Sequence, residues 1–563
     1  MDYIKVYEKW LNDDFIDQKT KEELKSIKDN KEEIQDRFYK NLEFGTAGLR
    51  GKLGAGTNRM NIYNISKVTQ GIADFIKEKG QNYMDRGVAI AYDVRHFSKE
   101  FSKTAALVLA ANGIKSYLFE DIRPTPELSF TIRKLNTAAG IIITASHNPK
   151  EYNGYKVYWE DGAQVLSSIA DPMTEKINEI KDFKDVKIMD EKEAINKGLL
   201  NIIGKEIDDE YIEKVKSLSI RDDIDKDIKI VYSPLNGTGN IPVRRVLRER
   251  GFTNIIVVPE QENPDPDFTT VGYPNPEDTK AFKYAENLGK EVDAELLIAT
   301  DPDCDRLAIE VKDKNGEYVA FNGNQTGAIL IKYIVEGMHD KGTLPKNAAI
   351  VKSIVTGDLG KVIAEKYGVT TFEALTGFKN ICGRIPKFEE TGEYEFIFGY
   401  EESIGYNAST FVRDKDGVSS SMLLCEAAAY YKSIGKTLID VLNEVFKEHG
   451  YYKEKQISLV LEGIEGQERI SRMMKEYRKS YPTEIGTMKL KECIDFIDGY
   501  EDIGASNVLK FYLDDGSWYA VRPSGTEPKI KIYLYTKADT PAKSEENLKV
   551  MEDVIIGKLN SIE

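Results

Sequence analysis

Two apolar textures alternate along most of the chain. Short runs rich in Val, Ile and Ala read as buried strands, and segments with a helical apolar period follow them and stop at glycine. The first such unit is "GVAIAYD" (87–93), "SKEFSKTAALVLAANG" (98–113) and "IKSYLFED" (114–121). The second is "IKIVYSPL" (228–235), a helix ending in "VLRERG" at Gly251, and "FTNIIVVPE" (252–260). The third is "AAIVKSIV" (348–355), "DLGKVIAEKYG" (358–368) and "VTTFEAL" (369–375). Each glycine falls where a helix end wants a left-handed residue. Each unit has the size of a βαβ crossover, which predicts a mainly parallel sheet covered by helices. Three units with the same punctuation predict three similar α/β domains.

The texture changes near the C-terminus. "VLKFYLDDGSWYAVRPSGTEPKIKIYLYTKA" (508–538) alternates like antiparallel strands, with Asp514-Asp515-Gly516 as a hairpin turn. A closing helix, "SEENLKVMEDVIIGKLNSIE", takes Ser544 as its expected N-cap. The fold class is therefore α/β: three similar α/β domains with mixed, mainly parallel sheets, plus a C-terminal α+β domain. Expected boundaries are 1–204, 205–316, 317–448 and 449–563. Residues up to about 40 are charged and helical in period, and are expected to form a solvated lead-in with no chemistry of its own.

A length of 563 residues agrees with about four domains at roughly 100–200 residues each. The net charge of -16 argues against a nucleic-acid partner, which selects a basic face, yet leaves room for a locally positive site that takes a small anion. The N-terminal "MDYIKVYEKWLNDDF" has no basic n-region and no apolar h-region, and no apolar run has the length of a bilayer span. Cys304, Cys382, Cys425 and Cys493 form no CxxC pair and no zinc spacing, and read as incidental thiols in a reducing compartment. These features together predict a cytoplasmic protein with no membrane partner.

Four stretches could carry chemistry. "TASHNP" (144–149) ends the apolar run "AGIII"; Ser146 is either a nucleophile delivered by a buried strand or part of a polar turn. "ATDPDCDR" (299–306) ends the strand "AELLIAT", where open α/β sheets place ligands. Asp301, Asp303 and Asp305 alternate, so their carboxylates converge on one side, and a hard divalent ion with oxygen ligands offsets that repulsion. Mg²⁺ fits a small tight loop; the competing reading is a solvated acidic turn. "RPSGTEPK" (522–529) offers a guanidinium fork, hydroxyls and a glycine amide suited to phosphate, or else a plain turn between strands. "GYEESIGY" (399–406) places paired carboxylates on a glycine-flanked loop, suited to sugar hydroxyls or simply exposed. "FGTAGLRG" (44–51) carries Arg50, and "EALTGFKNI" (373–381) carries Lys379.

Taken in order, these motifs resemble those of the α-D-phosphohexomutase family, in its phosphoglucomutase/phosphomannomutase branch, over nearly the whole chain. The resemblance implies four domains around a central cleft, each contributing one loop. It implies that Ser146 is a phosphoserine and that Asp301, Asp303, Asp305 and a phosphoserine oxygen hold one Mg²⁺. It implies that Arg306, Thr376, Gly377, Lys379, Glu401, Ser403, Arg522, Ser524, Gly525 and Thr526 bind substrate. Arg50, His147 and Lys156 fall around the phosphoserine, and Lys415 in "FVRDKDG" is similar to a lysine of the animal-type enzymes. Lys156, His147 and Lys415 are the candidate general acids and bases, and a lysine needs a lowered pKa to act as a base.

The implied reaction interconverts glucose 1-phosphate and glucose 6-phosphate through a bisphosphate that turns over in the cleft. Glucose 1,6-bisphosphate is then the primer, and a phosphosugar the partner. The loop has Ile404, Gly405 and Tyr406 where many bacterial phosphomannomutase/phosphoglucomutases place a histidine, and "EES" and "LTGFK" look closer to the glucose-type enzymes, but "GYEESIGY" also resembles the branch of phosphopentomutases and glucose-1,6-bisphosphate synthases, so mannose and pentose phosphates remain alternatives. A metal-dependent phosphatase and a non-catalytic phosphosugar-binding relative are the competing classes.

Overall fold

A computed structural model describes residues 2–461, 463–524 and 528–562. Each predicted βαβ unit forms. Val88–Tyr92 pairs in parallel with Ser116–Phe119 across the helix Ser98–Ala111. Ile230–Ser233 pairs in parallel with Ile255–Val257 across Asn240–Glu249. Ala348–Ser353 pairs in parallel with Thr370–Ala374 across Leu359–Lys366. Gly113, Gly251 and Gly368 end these helices with φ of 75°, 90° and 73°.

Each of the three sheets is extended in the same way. On the side of the first strand away from the crossover lies a second parallel strand: Ala139–Ile143, Leu296–Thr300 or Glu395–Glu401. That strand turns and returns antiparallel as Tyr152–Trp159, Leu307–Lys312 or Gly405–Asn407. The sheets are therefore mixed, with six, five and four strands. The fourth sheet is antiparallel throughout, and its hairpin Leu509–Leu513/Trp518–Pro523 turns through Gly516 at φ 87°.

Shared cores join the modules. One apolar cluster runs from the second sheet (Ile230, Ile298) into the third (Ile350, Phe398). A smaller one packs Ile354 and Val355 of the third module against Trp518, Tyr533 and Tyr535 of the fourth. Around it, Trp518 Nε1 donates to Asp358 Oδ2 at 2.8 Å, and Glu373 Oε1 takes Lys352 Nζ at 2.8 Å and Lys510 Nζ at 3.2 Å. Among the described residues, no helix is long and apolar enough to cross a membrane.

Two expectations are corrected. The N-terminal segment is helical (Tyr3–Asn12, Gln18–Ser26, Lys31–Phe38) but is not a solvated lead-in. Tyr7, Trp10, Leu24, Ile34 and Phe38 are buried with Ala55 and Tyr63, because the apolar stripe of these charged helices has a partner on the first module. The closing helix runs Pro541–Asn560 and is capped by Thr540, which accepts from the Lys543 N–H at 3.2 Å. Ser544 lies inside the helix, buried, with its Oγ 3.0 Å from Thr536 Oγ1. The Thr540-Pro541 pair starts the helix earlier, since proline is preset for its first position.

Candidate active site

The turns that close the three mixed sheets are topologically equivalent, and they carry the first three motifs. Residues 144–151 hold Ser146, residues 301–306 hold the aspartates, and residues 402–404 hold Ser403. Each turn has one non-glycine residue in the left-handed region: Ser146 at φ 52°, Cys304 at 51° and Ile404 at 56°. Such a conformation costs roughly 1–3 kcal/mol and persists only where the surroundings over-determine it.

The turns meet. Ser146 Oγ donates to Asp301 Oδ2 at 2.8 Å, across 155 residues of chain. The Leu307 N–H donates to the Ile404 carbonyl at 3.1 Å, and the Gly417 N–H to the Cys304 carbonyl at 3.0 Å. Asp301, Asp303 and Asp305 are buried, and one oxygen from each lies within 4.8 Å of the others. Asp301 Oδ1 accepts the N–H groups of Asp305 and Arg306 at 3.1 and 3.0 Å. Asp303 Oδ2 accepts from Lys156 Nζ at 2.8 Å and Thr125 Oγ1 at 2.9 Å. Asp303 Oδ1 and Asp305 Oδ1 are buried without a hydrogen-bond partner. A buried carboxylate oxygen without a partner is costly, and an all-oxygen set of three carboxylates suits a hard divalent cation, so these residues fit one. Burial, then the charge of Asp303, pushes Asp301 and Asp305 up. Burial acts the same way on Asp303, but Lys156 together with hydrogen bonds from Asp301 and Thr125 outweighs it and holds that carboxyl low.

Both expected lysine bases are held charged. Burial would lower both lysines, but Asp303 and then Asp305 raise Lys156, and Asp305 and then Asp414 raise Lys415, whose Nζ lies 3.0 Å from Asp305 Oδ2 and 3.2 Å from Asp414 Oδ1. The expectation of a lowered pKa at these two residues is therefore corrected, because each touches a carboxylate that favours its cation. His147 is pushed well below its ordinary value by burial and then by Arg306 and Arg50, and its Nδ1 lies 3.1 Å from Ser146 Oγ. Arg50 Nη1 donates to Asn148 Oδ1 at 3.3 Å. Arg306 Nη1 pairs with Glu277 at 3.6 Å.

The third module supplies a polar wall. Glu401 is buried and its Oε1 accepts the Gly377 N–H at 2.7 Å. Thr376 accepts from Asn380 Nδ2 at 2.8 Å, and Ser403 is half-buried in its turn. Lys379 reaches back to the first module, donating to the Thr46 carbonyl at 2.8 Å, and burial pushes its ammonium down to about 8. In the fourth module, Arg522 and Lys531 are register partners on adjacent strands. Burial, then Lys529 and Arg522, depresses Lys531. Like charges this close repel, and a nearby anion would offset the repulsion. The Ser524 N–H donates to the Lys529 carbonyl at 2.8 Å, which closes the loop between the two strands. Gly525 and Thr526 lie outside the described residues.

Sequence reasoning missed Lys531 and Arg95. Lys531 alternates with Lys529 on one face of a strand leaving the phosphate motif, a period-two signal that could have found it. Arg95 follows the strand Val88–Tyr92 at its C-terminal end, where open α/β sheets gather ligand-site residues. It sits beneath the Ser146 loop.

Comparison with known proteins agrees with this arrangement. The descriptions Phosphoglucomutase/phosphomannomutase, alpha/beta/alpha domain I, domain II and domain III match residues 41–184, 209–316 and 322–449, and the C-terminal domain of the same family matches 487–553. A phosphoglucomutase of Staphylococcus haemolyticus is 39% identical over 513 residues, covering 89% of this chain and 91% of its own. The open form of parafusin, a phosphoglucomutase from Paramecium, superposes with a TM-score of 0.70 at 19% identity, over 93% of this chain and 95% of its own. An N-acetylphosphoglucosamine mutase of Aspergillus fumigatus, solved with GlcNAc-6P and magnesium, superposes at 0.51 with 12% identity, over 92% and 96%.

Proposed function

Because the chain belongs to the phosphoglucomutase/phosphomannomutase family and is a mutase enzyme, we propose that it interconverts glucose 1-phosphate and glucose 6-phosphate with Ser146 as the residue that carries phosphate. The observation that carries this reading is the meeting of Ser146 Oγ with Asp301, 2.8 Å apart, on equivalent turns of two modules. Asp301, Asp303, Asp305 and the phosphoserine would hold one Mg²⁺, which as a Lewis acid would draw charge from the transferring phosphoryl group.

The chain's own residues do the rest. The cations Arg522 and Lys531, with Ser524, Gly525 and Thr526, hold the phosphate that is not reacting. Glu401 and Ser403, with Thr376 and Gly377, take the sugar hydroxyls. Phosphate passes from Ser146 Oγ to the free hydroxyl, the bisphosphate turns over, and its other phosphate returns to Ser146. Lys379, which bridges from the third module to the Thr46 carbonyl of the first and is pushed down to about 8 by burial, would take the hydroxyl proton at Nζ. As the phosphoryl group leaves, Ser146 Oγ takes a proton from protonated His147 at Nδ1, 3.1 Å away, and gives it back to that nitrogen when phosphate returns. Arg50, Lys156, Arg306 and Lys415 stay charged and offset the phosphoryl oxygens. Glucose 1,6-bisphosphate primes enzyme that has lost its phosphate. The module limits 204, 316 and 448, a phosphosugar as the only partner, and a cytoplasmic location complete the proposal.

The test is turnover of Ser146→Ala alongside wild type, with kcat/KM for glucose 1-phosphate, mannose 1-phosphate and ribose 1-phosphate in the presence of catalytic bisphosphate. The variant is expected to lose at least about 10³-fold in kcat while still binding substrate. Glucose 1-phosphate is expected to be the best substrate, and inorganic phosphate a trace product. An active Ser146→Ala enzyme, stoichiometric phosphate release, or a preference for mannose or ribose would each overturn the corresponding part.

A further inference from the structure

Arg95 is buried, and its guanidinium is spent on backbone. Nη2 donates to the carbonyl of Ser146 at 2.6 Å and to that of Asn148; Nη1 donates to the carbonyls of Pro149 and Tyr152 at 2.9 and 3.1 Å. The whole serine loop is thus drawn onto one side chain. Arg95 is held in turn by Asp93, whose Oδ2 lies 3.3 Å from Nε and whose Oδ1 accepts the Arg95 N–H at 2.9 Å. Phe268, from the second module, stacks over the guanidinium with its ring centroid 5.0 Å from Cζ. Only a planar fork with several fixed donors serves four carbonyls at once; a lysine ammonium has three donors on a flexible stem.

Two consequences follow from the peptide geometry. Arg95 fixes the direction of the Ser146 carbonyl while Thr144 Oγ1 takes the Ser146 N–H at 2.8 Å, so Ser146 is pinned on both sides at φ 52°, a conformation a serine adopts only under constraint. Across the planar trans peptide the His147 N–H then points the opposite way. That direction is away from the buried guanidinium, so the amide is presented to the outer side of the loop.

We propose that Arg95 is a positioning residue for phosphoryl transfer: through three carbonyls of the loop and that of Tyr152, where the next strand begins, it sets the attitude of Ser146 Oγ toward the aspartates and the direction of the His147 amide. The proposal rests on Ser146 being the phosphate carrier. Arg95 itself touches no reacting atom, so its loss acts on the chemical step rather than on sugar binding.

The experiment measures Arg95→Ala and Arg95→Lys for kcat, KM, Tm and transfer of phosphate from glucose 1,6-bisphosphate to Ser146, read by intact mass. Arg95→Ala is expected to lower kcat about 100-fold, the scale of a small misplacement of a reacting group, with KM within about threefold. Added guanidinium ion, kept well below denaturing concentration, is expected to restore part of the kcat of Arg95→Ala while wild type gains nothing from it. Arg95→Lys keeps the charge and loses the fork, and is expected to remain slow in phosphate transfer. A kcat per folded molecule within about threefold of wild type in either variant overturns the proposal, as does a loss that tracks only the folded fraction. Where Arg95→Ala does not fold, Arg95→Lys decides by the same limits. Active Arg95 variants beside an inactive Ser146→Ala defeat this inference alone; an active Ser146→Ala defeats the phosphoserine reading beneath it.

Discussion

Lys379 crosses from the third module to the Thr46 carbonyl of the first, and burial pushes its ammonium down to about 8. Asp414 opposes that push and does not cancel it. The unfolded chain keeps the ordinary lysine value near 10.4. Below about pH 8 the folded protein therefore carries the full cost of an enclosed ammonium. Between that pH and the unfolded value the folded form has released a proton that the unfolded chain retains, so stability rises with pH. Lys379→Met removes the ammonium and its cost together. It is expected to be more stable than wild type at pH 7, by on the order of 1 kcal/mol after allowing for the partial contact with water, and to lose that advantage by pH 10. Paired urea melts at the two pH values check this; a gap independent of pH counts against it. The residue itself was legible in the sequence as part of "LTGFK", but its charge state was not, because burial by a distant loop sets it.

At the scale of elements, the N-terminal helices show how an apolar stripe can hide in a charged segment. Trp10 packs edge-on to Phe38, Tyr63 and Phe183 at 5.7, 5.5 and 5.4 Å, so three separate elements close on one ring. Arg37, on the third helix, donates to the Ala55 carbonyl at 3.2 Å and braces the loop that follows the Arg50 strand. Trp10→Ala is expected to cost about 3–5 kcal/mol, the range for emptying a buried aromatic site. Hydrogen exchange should locate the loss in residues 3–38 and the loop 53–60. Unchanged protection there would mean that the helices are only appended. The periodicity of this segment was readable; its partner was not, since Tyr63 and Phe183 are far along the chain.

At the scale of the whole molecule, the candidate metal centre is a junction. Ser146 comes from the first module, Asp301, Asp303 and Asp305 from the second, and Lys415 from the third. Binding of Mg²⁺ there is expected to tie the modules together as well as to assist chemistry. With the ion at about 100 times its Kd, the folded state gains roughly 2.7 kcal/mol. Chelation should abolish turnover and lower Tm, Mg²⁺ should restore both, and Asp305→Asn should blunt the thermal response; full activity in excess chelator would remove the metal from the account. The sequence by itself determined the three βαβ units, the antiparallel tail and the four motifs, because strand runs, helix stops and loop chemistry are local and need only a few neighbouring residues. Only the tertiary structure decided that three of those motifs sit on equivalent turns of three sheets, that Lys156 and Lys415 are held charged, and that Arg95 grips the serine loop. Those facts depend on groups tens to hundreds of residues apart whose meeting is set by packing, and on burial, which no local pattern encodes.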